Sequence, residues 1–202
     1  MLYRKYVKLI IDFLIVLIAS PLWMPIFFIC YIVVLIIDGR PVLYYGERVG
    51  KDLKLFNIIK FRTMQINAGR EDSGDTVLEG DPRVTKLGLV LRKYKIDEIP
   101  QLFQIMSGKM SLVGPRPELP VYVNVKYYRI SGISSLRPGI TDLSSIKYRN
   151  LYSIIKSSND SDKYIESVII PKKNRLRRYY AKKVSFCTDM FILLKTIQKI
   201  FK

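Results

Sequence analysis

The chain has 202 residues, with 34 Lys and Arg against 17 Asp and Glu, a formal charge of +17, and no histidine. Those counts exclude a His-dependent catalytic triad and a His-ligated zinc site, and a hydrophobic fraction of 49% excludes a disordered basic tail. Cys30 and Cys187 are too few for a disulfide framework or a Cys-only metal site, and they point to a reducing compartment.

The first element is apolar. From Phe13 to Ile37 no residue is charged, and about 25 residues of helix reach ~37 Å, enough to cross a hydrocarbon core of ~30 Å. The run is too long for a signal peptide and no small-x-small site ends it. Arg4, Lys5 and Lys8 precede it and the rest of the chain is basic too, which favours a cytoplasmic location for both ends. Near its middle stands Ser20-Pro21, with Pro25 a turn later. Proline removes an amide donor and crowds the carbonyl four residues back, and a serine hydroxyl can satisfy a backbone group freed there. These residues leave two readings open: a kinked helix that spans, and a helix–break–helix hairpin that enters the bilayer and returns.

After the turn signal Asp38-Gly39-Arg40-Pro41, the segment VLYYGERVGKDLKLFNIIKFRTM (42–64) alternates apolar and polar residues around Gly50-Lys51-Asp52, the pattern of a β-hairpin. Residues 65–81 are polar with three glycines and read as a loop. Helical spacing predicts helices over Pro82–Tyr94 and Pro100–Met106, with Ser107-Gly108 ending the second. The prolines of MSLVGPRP (110–117) exclude helix there. Pro120–Tyr128 and Tyr152–Val168 are further helical candidates. The tail from Pro171 is basic and amphipathic, with Phe186, Met190, Leu193, Leu194, Ile197 and Phe201 roughly on one face. Such a stripe serves a core or an anionic membrane interface. The part after the apolar run reads as one compact α/β or α+β unit; taken as α+β, mostly α, the chain divides into residues 1–38, membrane-embedded, and residues 39–202, a small catalytic domain with a short β-hairpin and interfacial amphipathic helices.

Three constellations carry chemistry. In Lys95-Ile-Asp97-Glu98-Ile-Pro100, two adjacent carboxylates precede a helix start. They either complement the helix dipole or bind Mg²⁺ through oxygen, and an aspartate can attack phosphorus to form an acyl phosphate. In Gly114-Pro115-Arg116-Pro117, the prolines make a structural turn or hold a guanidinium ready for a phosphate. Lys60 and Arg62, two cations on one strand face, neutralise a pyrophosphate or are a solvated edge. Taken together on a membrane-anchored basic chain, they suggest magnesium-assisted phosphoryl chemistry near a bilayer.

The order KFRTM (60–64), DPRVTKLGLVLRKYKIDEIPQLFQIMSGKMSLVGPRPE (81–118) and LRPGIT (136–141) resembles the bacterial sugar transferases, the monotopic polyprenyl-phosphate phosphoglycosyl transferases. The resemblance covers nearly the whole chain, and the length suits the minimal, single-domain members. It implies transfer of a sugar-1-phosphate from a UDP-sugar donor to an undecaprenyl phosphate acceptor with release of UMP, the first membrane step of glycoconjugate assembly. It makes Asp97 the nucleophile that forms a phosphosugar-aspartyl intermediate, and Glu98 a partner of Asp97 in holding the cofactor Mg²⁺. Lys60, Arg62, Arg92, Arg116 and Arg149 then bind substrate. Ser20-Pro21 becomes the break of a re-entrant helix, so the protein is monotopic in the bacterial inner membrane, in contact with phospholipid, with its catalytic domain facing the cytosol. The reading includes no nucleic acid and leaves room for a homodimer. The alternatives are an inactive membrane scaffold of the same fold and a membrane-tethered nucleic-acid-binding protein; the Asp97-Glu98 pair argues against both.

Where many members read GITGWAQVNGRN, this chain has GITDLSSIKYRN (139–150), and Arg177-Arg178 precede Tyr179-Tyr180 where some members carry an acidic residue. Both departures are expected to touch donor recognition.

Overall fold

The computed structural model describes residues 2–66, 81–149, 151 and 161–200. Helix dominates them, with two small two-stranded sheets, so the α+β, mostly α expectation holds. Most of the 65–81 loop and the first part of the 152–168 helical candidate lie outside the described residues.

A π-helical turn over Tyr3–Val7 leads into α1 (Lys8–Ile18), and α2 (Ser20–Ile37) follows. Ala19, at φ −78° and ψ −6°, separates the two helices. Pro21 sits in the first turn of α2, where its missing N–H costs nothing, whereas Pro25 lies inside the helix. Among the described residues α2 is the one helix long and apolar enough to cross a membrane, with a mean hydropathy of 2.3 over 18 residues.

Residues before the apolar run and residues within it rest on the same body. Tyr3 Oη and Lys8 Nζ each donate to Asp189 Oδ2 at 2.6 Å, and Asp12 accepts from the Ser111 hydroxyl. Lys8, expected as a flanking charge, is therefore buried in an ion pair. Trp23 meets Phe103 edge-on at 4.9 Å between ring centroids and donates to the Val16 carbonyl at 2.9 Å. Val34 is fully buried with Val42, Phe61 and Leu91.

The expected hairpin forms. β1 (Leu43–Val49) pairs antiparallel with β2 (Leu55–Phe61) in a register that sets Tyr44 opposite Lys60, and a 3₁₀ turn over Lys51–Leu53 joins them. α3 (Lys86–Lys93) is shorter than Pro82–Tyr94 because the Thr85 side chain accepts from Gly88 N and so fixes the N-terminus. α4 (Gln101–Met106) follows a 3₁₀ turn over Ile96–Glu98, and Gly108, at φ 73°, ends the excursion. The stretch after it contains β3 (Ser111–Val113), parallel to β4 (Gly139–Thr141). That pairing joins segments about 28 residues apart and left no local signal.

The candidate helix over Pro120–Tyr128 resolves into a 3₁₀ turn over Pro120–Tyr122 and α5 (Val125–Ser131), whose start is set by the Asn124 side chain. α6 (Leu143–Lys147), α7 (Ser161–Tyr164), a π-helical turn over Ile165–Ile169, α8 (Ile170–Lys183) and α9 (Phe186–Ile200) follow among the described residues. The inward face of α9 carries Asp189 and Ile192. Of the apolar stripe read from sequence, Phe186, Leu194 and Ile197 stay exposed, so on α9 that stripe is mainly an outer surface.

Candidate active site

Asp97 and Glu98 lie on the 3₁₀ turn before α4, entered through Lys95 at φ 60°. This left-handed residue reverses the chain after α3 and turns both carboxylates inward. Their exposures are 5% and 6%, so both carboxylates are largely withdrawn from solvent.

Glu98 is fully engaged. Arg116 Nη1 donates to Oε2 at 3.2 Å and Nη2 donates to Oε1, while Lys60 Nζ stands 3.5 Å from Oε1. Lys60 comes from β2, which Gln104 of α4 fixes by accepting from Ile59 N at 3.0 Å and donating to Asn57 O at 2.7 Å. Arg116 also donates to the Ile140 carbonyl at 2.8 Å. Asp97 contrasts with its neighbour: its buried Oδ1 has no hydrogen-bond partner among the described residues.

The surroundings push the two acids apart. Burial, and next the Glu98 charge, raise the Asp97 carboxyl above the usual aspartate range, against the pull of Lys60, Lys95 and Arg92. Burial acts on Glu98 as well, but there Arg116, Lys60 and Lys95 outweigh it and hold the carboxyl far below the usual range. Adjacent acids driven in opposite directions are suited to different tasks.

The expected cations divide. Lys60 and Arg116 contact Glu98 directly, and Arg92 is a charge acting on Asp97, its Nε donating to the Thr63 hydroxyl at 2.7 Å. Arg62 does not join them. β2 ends at Phe61, and the Arg62 guanidinium turns to the carbonyls of Asp38 (2.5 Å), Pro41 (2.6 Å), Gly39 (2.9 Å) and Met64 (3.4 Å). Carbonyls at and just past a helix C-terminus have no helical partner and attract a cation, so Arg62 closes the end of α2. Arg149 stands in the turn after α6 rather than among the hydrogen-bond partners of Glu98. Sequence reading missed Lys95 as a member of the charge cluster, although it directly precedes the motif.

The two departures near the C-terminal half meet each other. Arg177 Nε donates to Asp142 Oδ2 at 3.3 Å, and both residues are 2% exposed. These two side chains form an interior ion pair, whereas Arg178 beside them is exposed.

Magnesium is the implied cofactor. It takes oxygen ligands and is ordinarily held by one or two carboxylates together with substrate phosphates and water. The unpartnered Asp97 Oδ1 beside Glu98 suits that chemistry, as a pair of carboxylates that leaves the other positions to phosphate and water, since no group of three or more acidic, His or Cys side chains gathers among the described residues.

The sequence model of the family described as "Bacterial sugar transferase" matches residues 3–202. The chain belongs to the bacterial sugar transferases. Relatives of this sugar transferase chain include an Aeromonas hydrophila protein named UDP-N-acetylgalactosamine-undecaprenyl-phosphate N-acetylgalactosaminephosphotransferase, 32% identical over 96% of this chain and 44% of its own length. A Salmonella typhimurium protein named undecaprenyl-phosphate galactose phosphotransferase is 33% identical over 98% of this chain and 40% of its own. A Bacillus subtilis protein named putative undecaprenyl-phosphate N-acetylgalactosaminyl 1-phosphate transferase is 38% identical over 63% of this chain and 71% of its own. The chain thus spans less than half the length of the Aeromonas and Salmonella proteins.

Proposed function

We propose that this chain transfers a sugar-1-phosphate from a UDP-sugar to undecaprenyl phosphate at a membrane surface. One observation carries the reading: a buried carboxylate oxygen, Asp97 Oδ1, is unpartnered among the described residues while three cations surround its neighbour Glu98. A lone pair free of hydrogen bonds can attack, and fixed cations stabilise the charge of transferring phosphoryl groups. The names borne by the Aeromonas and Salmonella relatives support the acceptor and the reaction class.

In the proposed cycle an Asp97 oxygen attacks the donor's β-phosphorus, forming a P–O bond as the bond to the bridging oxygen breaks. UMP leaves with that electron pair, and the sugar phosphate stays on Asp97 as an acyl phosphate. An oxygen of undecaprenyl phosphate then attacks the same phosphorus, releasing the Asp97 carboxylate and forming a lipid diphosphosugar. One diphosphate linkage is broken and one made, so no further energy source is required. Lys60, Arg92 and Arg116 would meet the phosphate oxygens. Asp97 and Glu98 would hold Mg²⁺, which when bound offsets phosphate charge.

The N-terminal run is read as a re-entrant hairpin breaking at Ser20-Pro21, with residues 39–202 as the catalytic domain on the cytosolic face of the inner membrane. Support comes from packing: Tyr3 and Lys8 ahead of the run, and Trp23 and Val34 within it, all rest on one body. A straight crossing of ~30 Å would separate them.

The test is UMP release by the purified protein in nanodiscs with a panel of UDP-sugars, undecaprenyl phosphate and Mg²⁺. Lipid-dependent UMP from one donor, abolished by Asp97→Asn and by EDTA, is the expected result. Turnover by Asp97→Asn at the wild-type rate would remove Asp97 from the nucleophile role.

A further inference from the structure

Arg116 reaches Glu98 only because the segment Gly114–Glu118 is held in one place. Gly114 N donates to Thr141 O and Gly139 N to Pro115 O, both at 3.1 Å, and Val49 N donates to Glu118 O at 3.0 Å. The remaining fixtures are two carboxylates, the buried Asp142 and the half-buried Glu118. Asp142 Oδ2 accepts from Arg116 N at 3.1 Å, and the Glu118 side chain belongs to the segment itself.

Both carboxylates end on one guanidinium. Arg177 Nε donates to Asp142 Oδ2 at 3.3 Å and its Nη2 to Glu118 Oε1 at 2.5 Å, while Nη1 donates to Tyr128 Oη at 3.2 Å and Asn174 Oδ1 at 3.3 Å. We propose that Arg177 is a positioning residue of the Asp97–Glu98 site, setting the Gly114–Glu118 segment through Asp142 and Glu118 so that Arg116 meets Glu98. The proposal rests on the reading of that pair as the reaction centre.

Arg177 is too buried to bind a ligand. A buried ion network of this kind is also a poor source of net stability, since apolar packing of the same volume does as well or better. What a rigid, forked guanidinium adds is simultaneous reach to two carboxylates on different segments, which a lysine ammonium cannot reproduce. Asp142 relays the position further: its Oδ1 accepts from Ser145 N at 2.6 Å, so the start of α6 and the backbone of Arg116 share one carboxylate.

The test is Arg177→Lys in the full chain, read by labelling with phenylglyoxal and peptide mass spectrometry. The Arg116 side chain is 30% exposed, so the reagent reaches it, and its pairing with Glu98 protects it. In a variant that circular dichroism and Trp23 fluorescence find folded, Arg116 should label severalfold faster while Arg83 labels at its usual rate. UMP release should fall by about 10-fold or more, since a misplacement of about 1 Å can cost about 100-fold. Wild-type labelling of Arg116 in the folded variant overturns the proposal. If Arg177→Lys does not fold, Glu118→Gln is read in the same way, and an unchanged Arg116 rate again overturns it. Should the wild-type protein release no UMP at all, the proposed function fails, while the labelling still decides the positioning role.

Discussion

Replacing Arg116 with methionine keeps the apolar stem of the side chain but removes the guanidinium and its charge. Glu98 then loses both hydrogen bonds from the guanidinium and keeps Lys60 Nζ at 3.5 Å as its remaining direct partner. Removing one partner of a buried ion pair costs about 3–5 kcal/mol because the other charge is left behind. Water reaches part of the Arg116 side chain, which is 30% exposed, so the loss is discounted to ~2–3 kcal/mol. The lost bond to the Ile140 carbonyl adds about 1 kcal/mol. The expected total of ~3–4 kcal/mol is a large part of an ordinary domain stability of ~5–15 kcal/mol. Trp23, the single tryptophan, reports it in a urea titration of the detergent-solubilised protein, because it packs on Phe103 of α4, directly after the Asp97–Glu98 turn. The midpoint should move down with little change in slope, and UMP release should be lost. An unchanged midpoint together with wild-type turnover would refute the claim that Arg116 holds Glu98.

Three further outcomes are expected. A Cβ on Gly88 would meet the Thr63 Cα and carbonyl carbon at 2.9 Å, so Gly88→Ala should displace α3, destabilise by ~1–3 kcal/mol and weaken the Arg92–Thr63 contact; a thermal midpoint equal to wild type contradicts this. Glu118 and Asp142 are both held below their ordinary values of 4.5 and 3.8: burial opposes this, but Arg177 and their other donors outweigh it. A depressed folded-state value gives stability that is complete above the unfolded value and fades as pH falls through the folded one. In an Asp12→Asn, Asp97→Asn background, which removes the two carboxyls that burial pushes upward, the urea midpoint should be flat from pH 7 to about 5 and drop below the ordinary values; a rise toward pH 4 counts against the buried network. Finally, a Cys30→Ser protein carrying Leu2→Cys, with its native exposed Cys187, should be labelled at both thiols from the same face of sealed vesicles. Labelling from opposite faces would favour a spanning helix.

Much of the site was legible because its signals are local. Asp97 and Glu98 are neighbours, Lys95 precedes them, and a helix start follows, so composition over a few residues locates the carboxylate pair. The β1–β2 hairpin was legible for the same reason: alternation and a Gly50 turn act within about twenty residues. The Ser20-Pro21 break was marked by proline chemistry, although α2 begins at Ser20 and the separating residue is Ala19.

Sequence by itself determined the apolar run, the hairpin, the carboxylate pair and the family resemblance, since each depends on residues close along the chain. Tertiary structure alone decided which cation goes where. Lys60 and Arg62 look equivalent two residues apart, yet one faces Glu98 and the other closes the end of α2, because the strand stops between them. The pairs Arg116–Glu98, Arg177–Asp142 and Lys8–Asp189 join residues 18, 35 and 181 positions apart. Such contacts are set by how helices and sheets pack, and a charged side chain finds its partner through space, not along the sequence.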